Sequence, residues 1–371
     1  MRHIIRFVLA IILCTACTGE DEEGLSTNST DGVLIFYLGG NNNLSDEVYD
    51  KIESINQAYN IDKNISQKII ILYSTQQEYP SLVEITSGKD EATQKKIKNY
   101  KYANMADPLF FSDFLIEIQD LYPARQYGLI LFSHSSGWMP QNTLTEPMIS
   151  PRSILNDNGD EMEMIDFAKS IPPKMFEFII FESCFMSGIE VAYELRNKTN
   201  YIVASSTEII SPGFTPIYPN SLQHIWKNTP DLISFAKDYF GYSNSLEGLF
   251  RSATISVIDT RQLEALASYI NTIDTNEEIP LNNLQHFDRI YKKLYFDFQD
   301  YYSQFLDEKG NEILQQYIKS CVVYKANTDY FIKERINKHS GLTTYILQDQ
   351  YPYLNQKYKE LAWYKAINKN I

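Results

Sequence analysis

Cysteine is scarce in this chain, four residues in 371, and two of the four, Cys14 and Cys17, fall within the first seventeen positions. The remaining two, Cys184 and Cys321, lie too far apart to read as a disulfide-stapled framework, which shows an even set at close spacings. Basic residues are also in deficit, 33 Lys and Arg against 47 Asp and Glu, for a formal net charge of −14. Without a basic stripe to neutralise phosphates, nucleic acid is excluded as a partner, whereas an acidic surface tolerates basic substrates. Gly39-Gly40-Asn41 follows an apolar run but lacks the spacing of a phosphate or dinucleotide loop. His224, His286 and His339 have no partner at metal-ligand spacing, so no metal is expected. There is no internal repeat, and no low-complexity region apart from one acidic run near the start.

What is present begins with Arg2, His3 and Arg6, followed by the apolar run Phe7 to Leu13, too short to span a bilayer, and then Cys14-Thr15-Ala16-Cys17. Residues 1–17 resemble a bacterial lipoprotein signal, which implies lipidation of Cys17, the cysteine that Ala16 precedes. Residues 18–31 read as a structureless tether, and its Thr18-Gly19-Glu20-Asp21-Glu22-Glu23 is similar to the surface-export signals of Bacteroidetes lipoproteins. The resemblance implies an outer membrane lipoprotein, facing the cell surface or the periplasm and held to the membrane by its N-terminal lipid.

With 44% hydrophobic and 22% charged residues, the rest is long enough to bury a sizeable core. Val33 to Leu38, Lys68 to Tyr73, Tyr127 to Phe132, Phe176 to Phe181, Tyr201 to Ala204 and Ala253 to Ile258 are short apolar runs bounded by turn residues, and they predict strands buried on both faces. Amphipathic stretches at Asp46 to Tyr59, Pro108 to Leu121, Glu161 to Ile171, Ser187 to Arg196 and Asp231 to Phe240 predict the helices between them. The alternation predicts an α/β sandwich with a mainly parallel central sheet over residues 32–260, and a helical C-terminal region over 261–371 that completes the domain. Within the latter, Gly341 to Leu347 reads as one late strand, the Tyr-rich run Tyr291 to Tyr302 as packing, and Cys321 as a core residue.

Two of the apolar runs break into reactive side chains: Phe132 leads into Ser133-His134-Ser135-Ser136-Gly137-Trp138, and Phe181 into Glu182-Ser183-Cys184-Phe185-Met186. Ligand crevices of open parallel sheets lie outside the carboxyl ends of the strands, so His134 and Cys184 are predicted to face one crevice. A thiol becomes a nucleophile when deprotonated, and an imidazole with the positive end of a following helix favours that. Phe185, Ile189, Ala192 and Tyr193 recur at helical spacing, which predicts such a helix directly after Cys184. Its N–H groups would also stabilise an oxyanion.

The segments Leu131 to Trp138 and Phe178 to Leu195 look like the two signature segments of the clostripain family of cysteine peptidases. Asn41-Asn42-Asn43-Leu44, Ala204 to Glu208 through Pro212-Gly213-Phe214, and Ser340 to Ile346 are similar to further segments of it. The resemblance implies a caspase-like α/β/α fold and a monomeric endopeptidase that hydrolyses protein or peptide substrates after Arg or Lys through a thioester acyl-enzyme. Cys184 falls on the family's nucleophile and His134 on its general acid, with the backbone N–H groups of Ser135 and Cys184 as the oxyanion hole. Glu182, where the family has Asp, and Glu208 are the carboxylates to which a basic substrate side chain would bind. Three positions depart from the pattern: Ser135 for Gly, Glu182 for Asp and Ser183 for Ala. Some members cut themselves between the two signature segments, and Arg152, in the loop Ile149-Ser150-Pro151-Arg152-Ser153, is the candidate point here. Some relatives need calcium, but Asp157-Asn158-Gly159-Asp160-Glu161 lacks the full spacing of a calcium loop and reads as a turn, so no cofactor is expected. The competing reading is a surface-exposed lipoprotein that keeps the fold, binds protein and does not catalyse.

Overall fold

The computed structural model describes residues 30–62, 64–141, 143, 154–289 and 292–369. Cys17, most of the acidic tether and Arg152 lie outside the described residues.

The apolar runs become a mixed sheet of nine strands: β1 (Gly32–Gly40), β2 (Gln67–Thr75), β3 (Ser81–Ser87), β4 (Ala92–Asn99), β5 (Tyr127–Phe132), β6 (Phe176–Glu182), β7 (Thr199–Ala204), β8 (Thr254–Asp259) and β9 (Val322–Asn327). Their order across the sheet is β9-β8-β7-β6-β5-β1-β2-β3-β4. The five central strands, β7 to β2, run parallel, and antiparallel strands extend each side. Central parallel strands are covered on both faces and so read as unbroken apolar runs. Alternation along β1 shows the division: Leu34, Phe36 and Leu38 enter one core, and Val33, Ile35 and Tyr37 the other.

Helices α1 (Ser45–Ile61), α5 (Tyr218–Ser221) and α6 (Leu232–Ser245) cover the first face through Val48, Ile52, Tyr218 and Phe235. The second face carries α2 (Pro108–Leu121), α3 (Met164–Ser170), α4 (Ile189–Leu195) and α7 (Leu263–Ile270), joined by α8 (Phe298–Tyr302), α9 (Glu308–Cys321), α10 (Pro352–Glu360) and α11 (Ala362–Ile367). The α/β/α sandwich with a mainly parallel sheet is therefore as the sequence predicts, and Cys321 is fully buried at the end of α9.

Four differences from the expected elements have local causes. Strands β3 and β4 escape pattern recognition because Glu84 interrupts one and the other, Ala-Thr-Gln-Lys-Lys-Ile-Lys-Asn, is an exposed edge with almost no apolar content. Strand β9 follows α9 without a break, so no turn residue marks its start. Helix α3 begins at Met164 because Asp160–Met162 pairs with Leu155–Asp157 in a hairpin, turned at Asn158 (φ 50°) and Gly159 (φ 92°). The expected strand at 341–347 shrinks to Thr343–Thr344, paired with Phe296–Asp297. Gly341, with φ 91°, starts that segment, and a Cβ there would sit 2.6 Å from Val322 Cγ1, so no other residue fits.

Candidate active site

Strands β5 and β6 are parallel neighbours in register, with Phe132 opposite Glu182. His134 and Cys184 each stand two residues beyond that pair, so the topology delivers both to one sheet edge. Both are partly exposed, and Cys184 is in no disulfide. The third adjacent strand, β1, ends in the turn that carries Asn43, and His134 Nε2 lies 2.8 Å from Asn43 Oδ1. An amide oxygen only accepts, so the neutral imidazole donates Nε2–H to Asn43 and keeps its lone pair on Nδ1. Asn43 thus sets the tautomer and the ring plane. Because Asn43 acts from a different strand end, only its place in the Asn41-Asn42-Asn43 run marked it in the sequence.

The turn from Ser183 to Gly188 is held from several sides. Phe185 occupies the left-handed region at φ 60°, unusual for a bulky residue. Its N–H donates to Thr207 O at 3.0 Å, and its ring stacks on Tyr295 at 4.2 Å between centroids. Tyr295 also donates its hydroxyl to Ser136 O at 2.8 Å, so one aromatic side chain braces the histidine loop and the cysteine turn together. Ser187 N–H donates to Ser205 O, while Ser187 O accepts from Thr343 N–H. The Ser135 hydroxyl donates to Cys184 O at 2.5 Å. Ser135 is not among the residues with positive φ; in its loop that conformation falls on Gly137, at 63°, so a side chain at 135 brings no backbone strain.

The expected helix directly after Cys184 is displaced. Helix α4 starts only at Ile189, because the intervening residues form this turn, and the thiol does not sit at a helix N-terminus.

Of the two predicted substrate-binding carboxylates, Glu182 is turned away from the open edge. Glu182, 2% exposed, points under α1 rather than into the open edge. Its Oε1 accepts from Lys51 Nζ at 2.6 Å and from Phe214 N–H at 2.5 Å, and its Oε2 from the Tyr218 hydroxyl at 2.6 Å. Lys51 is itself fully buried, bonded also to Thr215 Oγ1 and lying 4.2 Å from the centre of the Phe132 ring. Displacing it would leave a buried ion unpaired, at a cost of about 3–5 kcal/mol, so this carboxylate is committed within the fold. The sequence reading missed Lys51 because nothing in α1 distinguishes an inward lysine from its solvated neighbours. Glu208 pairs with Arg289 at 2.8 Å. Burial raises its carboxyl above the ordinary range, and Oε2 is buried without a partner.

Asp157, in the loop considered for calcium, accepts from Asn41 Nδ2 at 2.5 Å and from Met105 N–H at 2.6 Å. Among the described residues no cluster of three or more His, Cys, Asp or Glu is arranged to hold a metal ion.

Comparison with known proteins bears on this arrangement. A model described as the clostripain family matches residues 36–369. Clostripain from Hathewaya histolytica is 24% identical over 211 residues, which is 49% of this chain and 40% of that protein, so the match spans less than half of the relative's length. The structure of an inactive zymogen C11 protease from Parabacteroides distasonis superposes with a TM-score of 0.81 at 28% identity, over 91% of this chain and 99% of that one. A secreted C11 cysteine protease from Bacteroides thetaiotaomicron, iotapain, gives 0.78 at 25% identity, over 91% and 99%.

Proposed function

The chain belongs to the clostripain family of cysteine peptidases, and on that premise we propose that it is an endopeptidase cutting after Arg or Lys with Cys184 as nucleophile and His134 as general acid. The observation that carries the reading is the parallel register of β5 and β6, which sets His134 and Cys184 at matching distances beyond one paired position. In this mechanism the Cys184 proton passes to His134 Nδ1, and the thiolate adds to the scissile carbonyl. The backbone N–H groups of Ser135 and Cys184 stabilise the oxyanion. Imidazolium, still donating Nε2–H to Asn43, returns its proton to the leaving amine as the C–N bond breaks. Water then hydrolyses the thioester and restores the thiol. The same reading gives self-cleavage after Arg152 and an outer membrane location through lipid on Cys17.

Leaderless protein beginning near Asp31, offered matched fluorogenic peptides ending in Arg, Lys, Asp and Ala, tests the proposal. Turnover after Arg or Lys is expected, and Cys184→Ala should remove at least about a thousandfold of it. No turnover by the parent protein, with its thiol inert to iodoacetamide, would instead favour the non-catalytic binding protein, and equal turnover by Cys184→Ala would overturn Cys184 as the nucleophile.

A further inference from the structure

The two carboxylates that the resemblance assigns to a basic substrate side chain are both neutralised by cations of this chain, on unequal terms. Lys51, paired with Glu182, is fully buried, and its departure strands an ion. Arg289, paired with Glu208, keeps 36% of its side chain exposed, against 14% for the carboxylate. A guanidinium at that depth returns to water at little cost. The pairing is also incomplete. Arg289 Nε and one terminal nitrogen both reach Glu208 Oε1, at 3.0 and 2.8 Å, while Oε2 is buried with no partner among the described residues. Guanidinium and carboxylate bind most firmly as a fork, one N–H to each oxygen, so the resting arrangement leaves half of the acceptor unused.

Both partners belong to the surroundings of the thiol. Thr207, next to Glu208, accepts the Phe185 N–H of the cysteine turn at 3.0 Å. Asp288, next to Arg289 and fully buried, accepts from the N–H groups of Leu294 and Tyr295 at 2.5 and 2.9 Å. Arg289 is thereby tied to the tyrosine that stacks on Phe185 and holds the Ser136 carbonyl. It also borders an open cavity of about 680 Å³ that contains Glu334, a carboxylate in no ion pair among the described residues. A guanidinium released from Glu208 therefore has room and a second carboxylate close by.

We propose that Arg289 is an internal stand-in for the substrate's basic side chain: it occupies Glu208 in the free protein, and a substrate guanidinium or ammonium displaces it into the adjoining cavity. Arg289 is then a specificity-determining residue, setting how firmly a basic side chain must bind before the site admits it. The inference rests on the peptidase reading with Glu208 as a substrate-binding carboxylate, and its test separates the two. Peptides ending in Arg, Lys and norleucine are compared at pH 8 for parent protein, Arg289→Gln and Arg289→Lys. Arg289→Gln should raise the Arg-to-norleucine ratio of kcat/KM about tenfold, chiefly through a lower KM, because the competition is with binding and not with the chemical step. Arg289→Lys, which keeps the charge, should raise it less. An unmoved or lowered ratio in Arg289→Gln overturns the proposal, a lowered one marking Arg289 as a residue that orients Glu208. An equal rise in Arg289→Lys traces the effect to bulk instead of pairing and also overturns it. Calorimetry of agmatine, a guanidinium without a scissile bond, reads the carboxylate without turnover. Binding about tenfold tighter in Arg289→Gln than in the parent, and lost again when Glu208→Gln is added, upholds the competition; equal, weaker or absent binding refutes it. Tighter binding with no turnover in any variant upholds the competition and sinks only the peptidase reading.

Discussion

Asn43 and Glu190 show how single side chains, each remote in sequence from its partner, set chemistry or stability. Asn43→Ala removes the acceptor that holds the His134 ring, 2.8 Å away, and frees the wrong tautomer to form. The expected result is a fall in kcat of about ten- to a hundredfold with little change in KM, accompanied by an altered acid limb in the pH–rate profile. Steady-state kinetics from pH 5 to 9 would check this. Fully buried Glu190 accepts from Tyr345 N–H at 2.8 Å and Thr344 Oγ1 at 3.1 Å, and burial pushes its carboxyl up to about 7. An unfolded glutamate titrates near ~4.3, so between the two values the folded state keeps a proton that the unfolded state has lost. This contribution to stability is fully present below the lower value and is lost as pH rises through the upper one, a difference of about 4 kcal/mol. Buried His339, held down to about 3 chiefly by burial, works in the opposite sense: its contribution is complete above its unfolded value and is lost as pH falls toward 3. Glu190→Gln, neutral throughout, should flatten the loss of stability between pH 5 and 8 in urea titrations. An unchanged pH dependence would contradict the assignment.

At the level of elements, the Lys51–Glu182 ion pair joins the middle of α1 to the end of β6, and the Phe214 and Tyr218 bonds add α5 to the joint. Lys51→Met strands a buried carboxylate and should cost about 3–5 kcal/mol in chemical denaturation, whereas adding Glu182→Gln should recover part of that loss. Elements of this kind differ in how far the sequence reveals them. Strands β1, β5 and β6 were legible because burial on two faces writes itself as a continuous apolar run. The amphipathic period of α2 likewise marks its observed bounds, Pro108–Leu121. Strand β4 was not legible, since an exposed edge leaves no apolar signature. In the candidate site, the sequence shows His134 and Cys184 because both follow apolar strands. It marks Asn43 only by its place in an asparagine run and is silent on Tyr295 and Lys51, whose roles come from contacts between elements far apart in the chain. It also misleads at Glu182, where nearness to the cysteine in sequence conceals that alternation along β6 turns the side chain to the other face.

For the molecule as a whole, the sheet leaves β4 at one margin with Lys95 and Lys96 exposed. Charged edge strands discourage pairing with a second chain. The double substitution Lys95→Val, Lys96→Val should raise self-association, seen as concentration-dependent light scattering, while thiol reactivity at Cys184 stays as in the parent. Far along the chain from β4, α11 seals the element behind the Cys184 turn: Trp363 is fully buried with its ring 5.4 Å from Tyr193, and Ala362 N–H donates to Glu194 Oε1 at 2.5 Å. The turn itself takes a backbone hydrogen bond from Thr343. A nascent polypeptide thus emerges from the ribosome with Cys184 already outside but its supports still untranslated, an interval on the order of ten seconds at ordinary synthesis rates. During that interval the producing cell holds the Cys184 thiol without the elements that brace its turn.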